Sequence, residues 1–170
     1  MPQLTTHLSI DAPADAVWQV IGPGFARIGD WATAIPASTA ITAPAPAAAH
    51  APVQGRTCST GTRLVPAITE SLTSYDEQNR TLAYQASGLP AFITAARSTW
   101  MVAPDGEAAC RVTVTGDFRA RGVLGLVGCW AILAQARLAT RNLQADLRHY
   151  VRHGTPSPRK QRQLGRAQRR

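Results

Sequence analysis

The chain has 170 residues, 45% of them hydrophobic and 16% charged, a composition that suits one globular domain rather than a disordered or membrane chain. No stretch approaches the roughly 18 apolar residues of a membrane-spanning helix, and Met1-Pro2-Gln3-Leu4 lacks the basic-then-apolar order of a secretory leader. The formal charge of +8 sits at one end: residues 1–152 carry 12 Arg against all 10 acids, while the last 18 residues hold six basic residues and no acid.

Residues 1–152 therefore read as the domain, and 153–170 as a basic tail too poor in apolar side chains to order itself. The tail has no interleaved aromatics and no amphipathic period. It predicts weak contact with anionic surfaces at most, and no specific nucleic-acid binding. Seventeen of the 18 basic residues are Arg, and Ala and Pro abound, a bias typical of a GC-rich genome. Three widely spaced cysteines, Cys58, Cys110 and Cys129, predict free buried thiols and a reducing, cytoplasmic setting.

In chain order, residues 3–11 alternate, with Leu4, Thr6, Leu8 and Ile10 on one face of a half-buried strand. Asp11-Ala12-Pro13 opens a helix with Pro13 at its first position, where a missing N–H costs nothing. Its stripe of Ala14, Val17, Trp18 and Ile21 stops at Gly22-Pro23-Gly24, and a second short helix spans Phe25 to Trp31. Residues 32–53 contain four prolines. They predict a loose loop with one edge strand near Ser38–Thr42, since proline cannot donate into a central ladder. Antiparallel strands follow over 56–60, 63–75, 80–87, 93–103 and 108–120, joined at Gly61, Asp76-Glu77-Gln78-Asn79, Gly88-Leu89-Pro90 and Pro104-Asp105-Gly106. From Val123 to Arg152 there is no proline. Leu126, Trp130, Leu133, Thr140, Leu143, Leu147 and Val151 recur at helical intervals, which predicts one amphipathic helix of ~45 Å.

The words IDAPADAVWQVI at 10–21, GRTC at 55–58, ESLTSYDEQNRTLAYQ at 70–85, Pro90 and STWMVAPDGEAACRVTV at 98–114, closed by the long helix, carry a resemblance. In this order, over residues 4–152, the chain resembles the START-like, helix-grip superfamily. That superfamily includes the birch-pollen-allergen fold and the bacterial polyketide cyclase/dehydrase and lipid-transport group. The resemblance implies an α+β fold in which a seven-stranded curved antiparallel sheet wraps the C-terminal helix, two short helices follow strand 1, and a cavity lies between. It is similar in GxxR, ExL and a later Tyr to the lachrymatory-factor-synthase-like subgroup, where a cavity-facing Arg and Glu are assigned acid/base work. By position these are Arg56 and Glu70. The chain departs from that pattern in reading Gly-Arg with nothing between, after a longer Ala/Pro-rich loop.

Alternation supports the same pair from the residues alone. Ile68, Glu70 and Leu72 share a face, so if the apolar pair points inward a carboxylate does too, and such a group needs a partner. Arg56, across the turn, can meet it. The pair then either orients and protonates a carbonyl ligand or is a structural pair near a barrel mouth, and a one-residue register slip would turn it to solvent. Tyr84 shares a face with Leu82 and can offer a hydroxyl to a ligand, or simply fill the core. Trp100, Trp130, Leu133 and Phe118 are candidate cavity walls together with Ile68 and Leu72, whereas Asp117 is expected at the surface. The histidines are scattered, and no metal or cofactor site is expected. Two functions remain open. One is a cyclase or dehydratase on a polyketide-like substrate through Glu70, Arg56 and Tyr84; the other is a non-catalytic carrier or sensor of a small hydrophobic ligand. A monomer or homodimer is expected.

Overall fold

The computed structural model of the chain describes residues 3–42, 48–63, 65–121, 141–167 and 169. The alternating segments become β1 (Gln3–Ile10), β2 (Ser38–Ile41), β3 (Gly55–Ser59), β4 (Ala67–Asp76), β5 (Thr81–Ser87), β6 (Ile93–Pro104) and β7 (Cys110–Ala120). They form one seven-stranded antiparallel sheet in the order β1-β7-β6-β5-β4-β3-β2. Because β1 and β2 are the two edges, the chain between them must cross the sheet. That crossing carries α1 (Ala14–Ile21), a 3-10 turn (Phe25–Arg27) and α2 (Ile28–Trp31).

The expected stripe of α1 is the face it buries: Ala14, Val17, Trp18 and Ile21 all lie in the core beside Ile10, Val102 and Val112. Full burial of Val17 and Ile21 stabilises this packing by about 2 kcal/mol each. Pro13 sits one place before the helix rather than in it, and its carbonyl accepts the first helical bond from Val17 N–H at 3.3 Å. Gly22 ends the helix where an added Cβ would stand 2.5 Å from the Trp18 indole, so no larger residue fits.

Two departures from strict alternation bend the sheet, one at Thr73 in β4 and one at Thr94 in β6, where an extra residue enters the ladder. The bulge at Thr73 is why both Leu72 and Tyr75 are buried although they stand an odd three positions apart. The strand expected from Arg63 begins later, at Ala67, because residues 60–66 close a loop in which the Thr60 and Thr62 hydroxyls donate to the Val65 carbonyl.

Of the expected long helix, residues 141–153 are described and are helical (α3). Leu147 is buried in the core, and Leu143, Tyr150 and Val151 pack against it. The earlier part of that expectation, with Trp130, Leu133 and Cys129, lies outside the described residues. Among the described residues no helix is long and apolar enough to cross a membrane.

The tail corrects the sequence reading. Residues 158–167 are not disordered but form a helix, α4 (Pro158–Ala167), docked on the domain. Composition missed the specific bonds that hold it. Ser157 Oγ donates to buried Asp146 at 2.7 Å, and the other Asp146 oxygen accepts Thr33 N–H at 2.7 Å. Lys160, fully buried, donates through Nζ to the carbonyls of Ile35 at 2.7 Å and Pro36 at 3.2 Å. Gln163 Nε2 adds a bond to Thr33 O at 3.3 Å. Burial lowers the Lys160 pKa, and the charges of Asp146 and Asp30 offset part of that.

Candidate functional site

Between the inward face of the sheet and α3 lies a cavity of about 310 Å³, at the small end of ligand pockets. Every strand from β4 to β7, together with β1 and α3, contributes to its wall, and the side chains are mostly apolar: Leu4, Ile68, Ala86, Trp100, Phe118 and Leu147 among them. Glu70 is the one acidic residue lining it among the described residues.

Glu70 reaches this wall because β3 and β4 are in the register that sets Arg56 opposite it. Gly55 makes that register accessible: a Cβ there would stand 2.3 Å from the Glu70 carbonyl oxygen, so only glycine lets β3 come this close. Arg56 Nε donates to Glu70 Oε2, and the Cys58 thiol approaches the same oxygen at 3.7 Å. No partner of Oε1 is found among the described residues.

Arg56 itself is buried, with only 4% of its surface exposed, and does not line the cavity. Its Nη1 donates to the Phe25 carbonyl at 2.5 Å, and its guanidinium lies 3.9 Å from the centre of the Phe25 ring and 5.6 Å from that of Tyr84. Burial on its own would lower the Arg56 pKa; the charges of Glu70, Tyr84 and Cys58 outweigh it and leave the value raised. The 3-10 turn that offers the Phe25 carbonyl is fixed in turn by Ser38, whose Oγ donates to Ala26 O at 2.7 Å and accepts Gly29 N–H at 2.8 Å.

Tyr84 lines the cavity opposite Ser98 in the β5–β6 ladder, and Trp100 Nε1 donates to Ser98 Oγ at 3.2 Å. Burial, and then the Glu70 charge, push the Tyr84 phenol up to about 12, so it stays a hydrogen-bond donor at neutral pH. The same two causes raise Cys58 to about 12, which keeps it a thiol and removes it as a nucleophile.

The structure thus brings Glu70, Tyr84, Ile68, Trp100 and Phe118 together on one cavity wall. Leu72 faces the same side but is fully buried in the core and does not line the cavity. Arg56 stands behind Glu70, and Asp117 is exposed as expected. Sequence reasoning missed Phe25, Cys58 and Ser98. Alternation in GRTC places Cys58 beside Arg56, and Ser98 two residues before Trp100 was readable in the same way. The Phe25 carbonyl carries no sequence signal. A histidine pair was also passed over: His149 and His153, one helical turn apart on α3, have ring centres 4.5 Å apart. Among the described residues no three His, Cys, Asp or Glu side chains gather to hold a metal ion.

This arrangement can be set beside known proteins. The family model described as polyketide cyclase / dehydrase and lipid transport matches residues 1–153. The chain belongs to that family. Its fold is the helix grip of solved relatives. The Zhui aromatase/cyclase from a Streptomyces species is similar at TM-score 0.67 and 14% identity, covering 92% of this chain and 99% of that one. Norcoclaurine synthase from Thalictrum flavum, solved with dopamine and hydroxybenzaldehyde, is similar at 0.67 and 17%, covering 89% and 87%. The protein XoxI from Bacillus cereus is similar at 0.68 and 21%, covering 90% and 97%. None of the curated proteins matches the chain at a significant level. The family match ends at residue 153, so the docked helix α4 lies beyond it.

Proposed function

We propose that this family member takes a small, largely apolar molecule of the polyketide or aromatic class into the cavity, and that Glu70 handles its protons. The observation that carries the reading is a single carboxylate on an apolar wall, held through Oε2 by Arg56 and Cys58, with no partner of Oε1 among the described residues. In a dehydratase, or in the dehydrating step that follows ring closure, Glu70 takes a proton from the carbon between a carbonyl and a hydroxyl-bearing carbon. The Tyr84 hydroxyl donates to the enolate oxygen, and the proton goes on to a hydroxyl that leaves as water. Arg56 is a positioning residue here: its donors point at Glu70 and Phe25, so it aims the base instead of holding the substrate oxygen. The family membership and the aromatase/cyclase neighbour support this substrate class.

The second reading, a carrier or sensor, is favoured by the same commitment of Arg56, which keeps it out of the wall; among the described residues the polar side chains there are Thr6, Glu70, Tyr84, Arg97, Ser98 and Gln144 in an otherwise apolar lining. One experiment separates the two. Aromatic polyketide analogues are titrated against a cavity-bound fluorescent probe, and product formation is followed in parallel, for the native chain, Glu70→Gln and Ala86→Phe. Binding that survives in Glu70→Gln while turnover falls by a factor of about 100 or more supports the enzyme. Binding without turnover in the native chain leaves the carrier. Undiminished binding in Ala86→Phe, whose ring would occupy the cavity, sinks both.

A further inference from the structure

Helix α4 presents a charged face that the cavity does not explain. Lys160 turns inward to Ile35 and Pro36, so Arg159, Arg162 and Arg166, spaced i, i+3 and i+7, fall together on the opposite side, and all three are exposed. Arg159 reaches Asn142 of α3 at 3.5 Å, beside exposed Arg141. Across the described part of 141–169 the one acid is Asp146, buried and bonded to Thr33 and Ser157. Asp30, on α2, acts on Lys160 from the domain side and offsets one charge. Arg152 is paired with Asp11, whereas Arg141, Arg159, Arg162 and Arg166 have no acidic partner among the described residues and form a positive surface around a helix held at Ser157, Lys160 and Gln163.

We infer that this surface docks the protein on an anionic lipid bilayer, where the apolar occupant of the cavity is loaded or released. The reason for visiting a bilayer rests on the cavity reading; the docking itself does not. Three observations favour a bilayer over nucleic acid. Helix α4 has no aromatic side chain to stack on bases. Pinned to the domain at three points, it cannot enter a groove as a recognition helix does. And α3, which bears Arg141, also supplies Leu143 and Leu147 to the cavity wall, so the charged surface and the apolar interior meet on one element. Since α4 shows no large exposed apolar residue, the contact is electrostatic and must weaken with salt.

The test is co-sedimentation of the full chain with vesicles of phosphatidylcholine alone and with about one-third phosphatidylglycerol, at low and physiological ionic strength. Binding to the anionic vesicles only, weakened by salt, is the expected result. Each arginine near such a surface strengthens partitioning roughly fivefold, so Arg159→Gln/Arg162→Gln/Arg166→Gln should weaken it about a hundredfold. Equal binding to both vesicles, unchanged binding of the triple variant, or release of the protein by duplex DNA at equal phosphate would each overturn the proposal, the last in favour of a nucleic-acid partner. None of the three arginines lines the cavity, so the variant keeps its circular dichroism and its uptake of a fluorescent probe in solution. Failure of the native chain to take up that probe while it still binds vesicles counts against the cavity reading and leaves the docking intact.

Discussion

Arg56 and Glu70 show how one buried charge fixes another. Removing Arg56 would strand a carboxylate that is only 15% exposed without its cation. Breaking such a pair from one side costs ~3–5 kcal/mol, so Arg56→Ala should lower the urea midpoint sharply, while Arg56→Met/Glu70→Leu should recover most of the loss. Recovery absent from the double variant would mean that Arg56 stabilises through its contact with Phe25 rather than through the pair. Alkaline pH reads the same neighbourhood. Cys58 titrates at 9.0 ordinarily and at about 12 here, so the folded state holds its proton longer than the unfolded one. Its contribution is complete below pH 9 and is lost as pH rises from 9 towards 12. Tyr84 and Tyr75, raised from 10.0 to about 12, add their losses above pH 10. Each pH unit inside those windows costs ~1.4 kcal/mol per group. Burial also raises Cys110, so urea midpoints should fall from pH 9 in the native chain and less steeply between pH 9 and 10 in Cys58→Ala; a native midpoint that stays flat to pH 11 would refute this.

At the scale of elements, the docked tail is the clearest lesson. Asp146 answers two donors, the Thr33 amide and the Ser157 hydroxyl, in a place closed to water. Asp146→Ala leaves both unsatisfied, a cost of ~2–4 kcal/mol, and should release α4 to proteolysis before the domain unfolds. Limited trypsin digestion checks this, and a variant with the native cleavage pattern would show that α4 is held elsewhere. The tail was partly legible. Ser157-Pro158 is a helix-start signal, a capping hydroxyl followed by proline at the first position, that the sequence reading did not use. The burial of Lys160 was not legible, because a lysine among arginines gives no hint that two backbone carbonyls wait 2.7 and 3.2 Å away. By contrast α1 was read almost residue for residue, since Ala14, Val17, Trp18 and Ile21 carry their burial in their spacing. The β4 start was misplaced because the apolar residues just after Arg63 look like strand, whereas the Thr60 and Thr62 hydroxyls close a loop on the Val65 carbonyl.

At the scale of the molecule, the site was legible as a face and illegible as a depth. Period-2 alternation put Ile68, Glu70 and Leu72 on one side of β4, and they are there. Alternation does not say that Leu72 is buried without lining the cavity or that Arg56 does not reach the wall, nor does it locate the bulge at Thr73 beside Leu72. A cavity bounded by five strands and α3 couples ligand to global stability. A ligand at a hundred times its dissociation constant should add about 2.7 kcal/mol and raise the melting temperature by several degrees. Ala86→Phe should show no such rise, and an equal rise in that variant would place the ligand outside the cavity. Gly55 extends this coupling to sequence divergence. Because nothing larger fits against the Glu70 backbone, the glycine and the arginine after it behave as a single inherited unit. Relatives that replace the glycine should also have abandoned the arginine–glutamate couple, and a family tree in which the two positions drift independently would contradict that.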